Sequence, residues 1–133
     1  MNLVDTNVII DLLRADSPWR GWAEQHLLAA HHGSGLAINP IIYAELSAMP
    51  QTRAVLDDFL HAASIHVEPL SLTCARLAGQ AFYAYRRRQG TKTGVPPDFF
   101  IGAQAQAEGW TLLTRDSARY RTYFPTVKLV CPD

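Results

Sequence analysis

Cysteine is nearly missing from this chain: Cys74 and Cys131 are the only two among 133 residues. Two distant thiols make no disulfide framework, and they lack the paired spacing of a zinc site. Both are therefore expected as buried thiols in a reducing compartment. Net charge is missing as well, since Lys+Arg and Asp+Glu both number 12. Bulk electrostatics announce no polyanionic partner, and any such binding has to come from local charge separation. The N-terminus lacks a basic leader, and its apolar stretch is interrupted by Asp5 and Asp11. That pattern argues against a signal peptide or membrane span and for a cytoplasmic protein. His26, His31, His32, His61 and His66 show no ligand spacing with a carboxylate or cysteine. Glycines 90, 94 and 102 form no phosphate-cradling loop. Ser47, Ser71 and Ser117 lack a nucleophile elbow, which disfavours a serine hydrolase.

What is present suits one globular domain over residues 1–133, with 48% hydrophobic residues and no repeats; a chain of this size buries roughly two-thirds of its unfolded surface. Asn2 to Val4 reads as a short buried strand. Val8, Ile9, Leu12 and Leu13 then recur at helical spacing behind a cap at Asp5 or Thr6. A helix is expected from Trp19 to about Ala30 and a strand over Leu36 to Ile38. Asn39-Pro40 opens another helix that carries Glu45 more than one turn inside it. A single amphipathic helix is expected over Gln51 to Ala62, with Val55, Leu56, Phe59 and Leu60 on its packed face. A strand around His66 to Glu68 precedes a long helix from Leu72 to about Gln89, closed by Gly90. Its buried stripe is Leu77, Ala78, Ala81, Phe82 and Tyr85. Pro97-Asp98 begins a helix running through Ala107, Thr111 to Thr114 is a strand, a short helix bears Tyr120 and Phe124, and Val127 to Val130 closes the sheet. Alternation of this kind implies an α/β fold with a mostly parallel sheet and helices on both faces.

Four acids stand at the edges of these elements: Asp5, Glu45, Asp98 and Asp116. Singly each has an ordinary role, as a helix cap, a solvated helix residue, a helix N-terminal charge or a turn residue. Together they face one crevice beyond the carboxyl ends of the strands, where open sheets of this class bind ligands. Like charges at ~4 Å repel by about 1–4 kcal/mol, so such a cluster normally persists around a cation. All-oxygen ligands favour Mg²⁺ or Mn²⁺ over zinc. Arg86, Arg87, Arg88 and Lys92 precede Asp98, while Arg115, Arg119 and Arg121 surround Asp116. They are candidates for holding an RNA backbone, although cations at a helix C-terminus are favoured without any partner.

Leu3-Val4-Asp5-Thr6-Asn7, Glu45 in a helix, Asp98-Phe99-Phe100-Ile101-Gly102-Ala103 and Thr114-Arg115-Asp116 together resemble the PIN-domain ribonucleases. The resemblance spans nearly the whole chain and, at this length, is to VapC-type toxins of bacterial toxin–antitoxin pairs. It implies a three-layer α/β/α sandwich, a divalent-metal site, cleavage of RNA, homodimerisation and inhibition by a cognate antitoxin. It makes Asp5, Glu45, Asp98 and Asp116 the metal-binding catalytic acids, with Thr6, Asn7 and Thr114 as polar support. One departure is Gln104, where related sequences often carry histidine; it bears on local packing or substrate contacts. An aspartyl-phosphate phosphatase would also place an early Asp after its first strand, but it needs a second Asp two residues on, where Asn7 stands. A catalytically silent module that binds RNA or protein is the other alternative, and the intact acid set argues against it.

Overall fold

The computed structural model describes residues 1–132. In chain order its elements are β1 (Asn2–Val4), α1 (Thr6–Leu13), α2 (Arg20–His32), β2 (Leu36–Ile38), α3 (Pro40–Ser47), α4 (Pro50–Arg53), α5 (Leu56–Ala62), β3 (Ile65–Val67), α6 (Leu72–Arg87), α7 (Pro97–Glu108), β4 (Thr111–Leu113), α8 (Ala118–Tyr123) and β5 (Leu129–Val130). The strands form one sheet in the order β3-β2-β1-β4-β5. Every pairing is parallel, with Leu3 opposite Ala37 on one side and Leu112 on the other. The sheet is thus wholly rather than mostly parallel.

Successive strand side chains point to opposite faces, so burial of consecutive residues requires cover on both. Leu3 and Val4, then Leu36, Ala37 and Ile38, then Leu112 and Leu113, are all buried. The cover comes from α1 packed on α2 and from a second group in which α7 packs against α3, α6 and α8. Strand order reverses at β1, whose neighbours β2 and β4 lie on opposite sides. A crevice opens between β1 and β4 beyond their carboxyl ends, as chain reversal at such a switch point dictates.

Two buried amides fix the helices that border this crevice. Asn39 caps α3, its Oδ1 accepting from the Ile42 N–H at 2.9 Å. Its Nδ2 donates to Gln104 Oε1 at 3.0 Å, and Gln104 Nε2 donates to the Pro69 carbonyl at 3.1 Å. Gln104 is completely buried. It ties α7 to the start of α3 and to the segment after β3, a packing role.

Several boundaries differ from expectation by one or two residues, the usual latitude at frayed ends. The helix expected to begin at Trp19 begins at Arg20, α6 stops at Arg87, β3 runs one residue earlier and β5 holds only Leu129–Val130. A larger difference concerns Gln51 to Ala62, which forms two helices rather than one. The Val55 N–H bonds to the Thr52 carbonyl, a tightened turn that ends α4. Val55, a β-branched residue poorly suited to a helix interior, is left 45% exposed instead of lying on the packed face. Cys74 is buried as expected, but Cys131 is only half-buried.

Gly102 allows α7 to approach α8. A Cβ added there would lie 2.4 Å from the ring of the buried Phe124. Gly79 of α6 has open space around its would-be Cβ. Gly102→Ala is expected to cost about 1–3 kcal/mol through overpacking, partly offset by up to ~1 kcal/mol of helix propensity. Gly79→Ala is expected to stabilise by about 0.4–1 kcal/mol. Thermal unfolding of the pair checks this, and equal melting temperatures would refute the packing role of Gly102.

Candidate functional site

Asp5 follows β1 and caps α1, its Oδ1 accepting from the Thr6 N–H at 2.8 Å. Its other oxygen accepts from the Thr114 hydroxyl at 2.7 Å and the Tyr120 hydroxyl at 2.9 Å. The carboxylate is thereby pinned by groups from α1, from the end of β4 and from α8. Thr6 donates its hydroxyl to Glu45 Oε1 at 2.6 Å, so Asp5 and Glu45 are held by the backbone N–H and the hydroxyl of one residue. Asn7 closes the far side. Its Oδ1 accepts from the Arg115 N–H at 3.1 Å and its Nδ2 donates to Thr114 Oγ1 at 3.4 Å. Thr114 also accepts from the Asp116 N–H at 3.1 Å, which shapes the turn that presents Asp116.

The outcome is one cleft of about 280 Å³ lined by Asp5, Glu45, Asp98 and Asp116, with Thr6, Asn7 and Tyr120 also on its walls. Asp98 reaches it from the first turn of α7. Four acids scattered along the sequence from Asp5 to Asp116 thus share one opening. A PIN-domain family model matches residues 3–125. The chain belongs to the PIN-domain family.

Its relatives agree with that placement. Ribonuclease VapC10 of Mycobacterium tuberculosis is 32% identical over 114 residues, covering 86% of this chain and 81% of that protein. The VapBC2 structure from Rickettsia felis, bound to a DNA fragment from its promoter, superposes with a TM-score of 0.76 at 22% identity, covering 99% of this chain and 98% of that one. A toxin–antitoxin complex from Klebsiella pneumoniae gives 0.71 at 25% identity, covering 100% and 98%.

Electrostatics of this PIN domain centre on Asp5. Burial, with a smaller push from Glu45, raises its carboxyl from 3.8 to about 6, against the opposing pull of the Thr114, Tyr120 and Thr6 hydrogen bonds. Burial and then the neighbouring Asp5 charge raise the Tyr120 phenol in turn, so it stays a donor. An acid held ionised at so unfavourable a place, beside three further carboxylates, suits a hard divalent cation in its donor chemistry. Asp116 is exposed and its carboxylate has no partner among the described residues. As placed, no three His, Cys, Asp or Glu side chains among the described residues stand close enough to hold one ion.

The basic residues divide. Arg115 turns away from the cleft to pair with the buried Asp11, which also accepts from Ser17 at 2.8 Å. Arg86 donates to the Lys92 carbonyl at 2.7 Å and holds the loop. Arg119 lies beside Asp98 at 3.4 Å, whereas Arg87 and Arg88 are exposed near the rings of Tyr83 and Tyr123. Two contributors were not apparent from sequence: Tyr120, which appeared only as a helix residue, and Asp11, which appeared only as an interruption of an apolar run.

The Asp5 shift fixes a sign. A carboxyl whose folded pKa lies above its unfolded value binds more protons when folded, so stability falls as pH rises between about 4 and 6. A carboxyl raised from 3.8 to about 6 lowers stability by about 3 kcal/mol once it is fully ionised. Asp5→Asn removes this dependence. In metal-free buffer its melting temperature relative to the natural protein should climb from pH 4 to pH 6.5 and then level. A difference independent of pH would show that Asp5 carries no such penalty.

Proposed function

We propose that this PIN domain, acting as one unit over residues 1–133, is a Mg²⁺- or Mn²⁺-dependent endoribonuclease and the toxin of a toxin–antitoxin pair. The observation that carries the reading is the convergence of Asp5, Glu45, Asp98 and Asp116 on one cleft at the carboxyl ends of the strands. The relatives lend it support, one being a ribonuclease by name and others being toxin–antitoxin complexes.

A divalent ion held by Asp5, Glu45, Asp98 and Asp116 would supply a water of lowered pKa and stabilise charge on the departing oxygen. The chain's own residues hold that chemistry in place. Thr114 and Tyr120 fix Asp5 Oδ2, the Thr6 N–H fixes Oδ1 while its hydroxyl sets the direction of Glu45, and Asn7 holds the turn before Asp116. Phosphodiester hydrolysis of this kind leaves a 5′-phosphate and a 3′-hydroxyl. The proposed assembly is a homodimer silenced by an antitoxin that lays a segment across the acids. An antitoxin arginine there would pair with a carboxylate bidentately.

Asp98→Asn and Glu45→Gln are each expected to reduce RNA cleavage by at least a hundredfold while leaving the fold intact, and chelation should abolish cleavage until Mg²⁺ or Mn²⁺ is restored. Undiminished activity after thorough chelation would exclude the metal reading. A second expectation concerns the exposed cations. Arg87→Ala together with Arg88→Ala should weaken RNA binding and reduce the salt slope by roughly 0.7 per lost phosphate contact. If they serve only the helix dipole, the double variant loses a few tenths to about 1 kcal/mol of stability per residue with RNA affinity unaltered.

A further inference from the structure

We propose that the cavity on the far side of Asp98 from the acidic cleft is a base-stacking subsite for single-stranded RNA, with the Arg119 guanidinium as its platform. It would receive the nucleotide flanking the cleaved bond, and it rests on the reading of the cleft as an RNA site. The cavity measures about 420 Å³ and shares Asp98 and Asp116 with the cleft; Tyr85, Ala118, Arg119, Thr122 and Tyr123 line the remainder. A strand whose phosphate lies at the acids therefore runs directly onto it.

Arg119 rests in the corner between the rings of Tyr85 and Phe99. Tyr85 is fixed because its hydroxyl accepts from the N–H groups of Thr91 at 3.0 Å and Lys92 at 3.1 Å. Phe82 stacks beside it, with centroids 5.8 Å apart and planes at 22°. Arg119 Cζ lies 5.3 Å from the ring centroids of both Tyr85 and Phe99. Its Nη1 stands 3.4 Å from each Asp98 oxygen, longer than the ~2.7–2.9 Å of a tight charge-assisted bond. The guanidinium thus lies against two rings inclined at 74° to each other, and its side chain remains 30% exposed. Guanidinium planes accept stacked bases as aromatic rings do.

Charge selects a base over a phosphate here. An anion entering this cavity meets Asp98 and Asp116 as well as Arg119, whereas an uncharged base meets a planar cation backed by two rings. Tyr123, half-buried and 6.2 Å from Tyr85 in an edge-on arrangement, forms the side wall.

The test walks a single 2-aminopurine along a short single-stranded RNA, titrated with the whole protein in chelator so that nothing is cut. One position should be quenched on binding, and making that nucleotide abasic should weaken binding about tenfold, within the range for loss of one stacked base. Arg119→Ala and Arg119→Lys should both bind the intact RNA about tenfold more weakly and no longer distinguish it from the abasic strand. Tyr123→Leu, which leaves Arg119 in place, should reduce the quenching and keeps the idea testable if Arg119→Ala fails to fold. Retained affinity in Arg119→Lys, with indifference to the abasic position, would mean a phosphate contact and overturn the subsite. Stacking without cleavage once Mg²⁺ is added would remove the nuclease reading and support the subsite. Cleavage without position-specific quenching would remove the subsite alone, and no RNA binding at all would overturn both.

Discussion

A buried carboxylate in need of partners organises this molecule. Asp5 sits at the junction of β1 and α1, almost wholly shielded from water, where an ion without hydrogen bonds would be prohibitively expensive. Its three donors come from Thr6, Thr114 and Tyr120. Satisfying them requires β4 beside β1 and α8 folded back over the strand ends. The same contacts carry Asp116 and Glu45 to the cleft, since Thr114 shapes the turn before Asp116 and Thr6 holds Glu45. Fold and site are thus specified by one set of hydrogen bonds.

Much of the architecture was legible because it rests on local periodicity. Strand and helix alternate in apolar pattern, and parallel pairing follows from the alternation. Asp5, Glu45, Asp98 and Asp116 were legible for a similar reason, each lying where a regular element ends or begins. Tyr120 was not, since its value depends on which way α8 turns its face, a property of tertiary packing. The arginines were equally opaque. Arg115 and Arg119 are four apart and alike in sequence, yet one neutralises the buried Asp11 and the other lies over aromatic rings beside Asp98. Charge alone cannot separate those fates. The break at Val55 escaped too, because Thr52, Leu56 and Leu60 keep a helical spacing of buried positions across it.

Gln104 illustrates how a fully buried side-chain amide finds a structural use. Its amide offers both a donor and an acceptor, and both are used, toward Pro69 and Asn39. A buried amide bridging three segments specifies their register, since any shift leaves a polar group unsatisfied. Through the Asn39 cap this register passes to α3, the helix that bears Glu45. The distance from Gln104 to the acids is therefore spanned by secondary structure rather than by direct contact.

The bond between Asn7 and Arg115 joins residues 108 apart in sequence. The strand that pairs with β1 on its acidic side, and the helix that supplies Tyr120, follow β1 by more than a hundred residues. Domains form as units once their segments have emerged. Until then the carboxylates have no common wall, and a nascent chain holds the ingredients of the site without holding the site. This topology delays assembly of the cleft until β4 and α8 have been made.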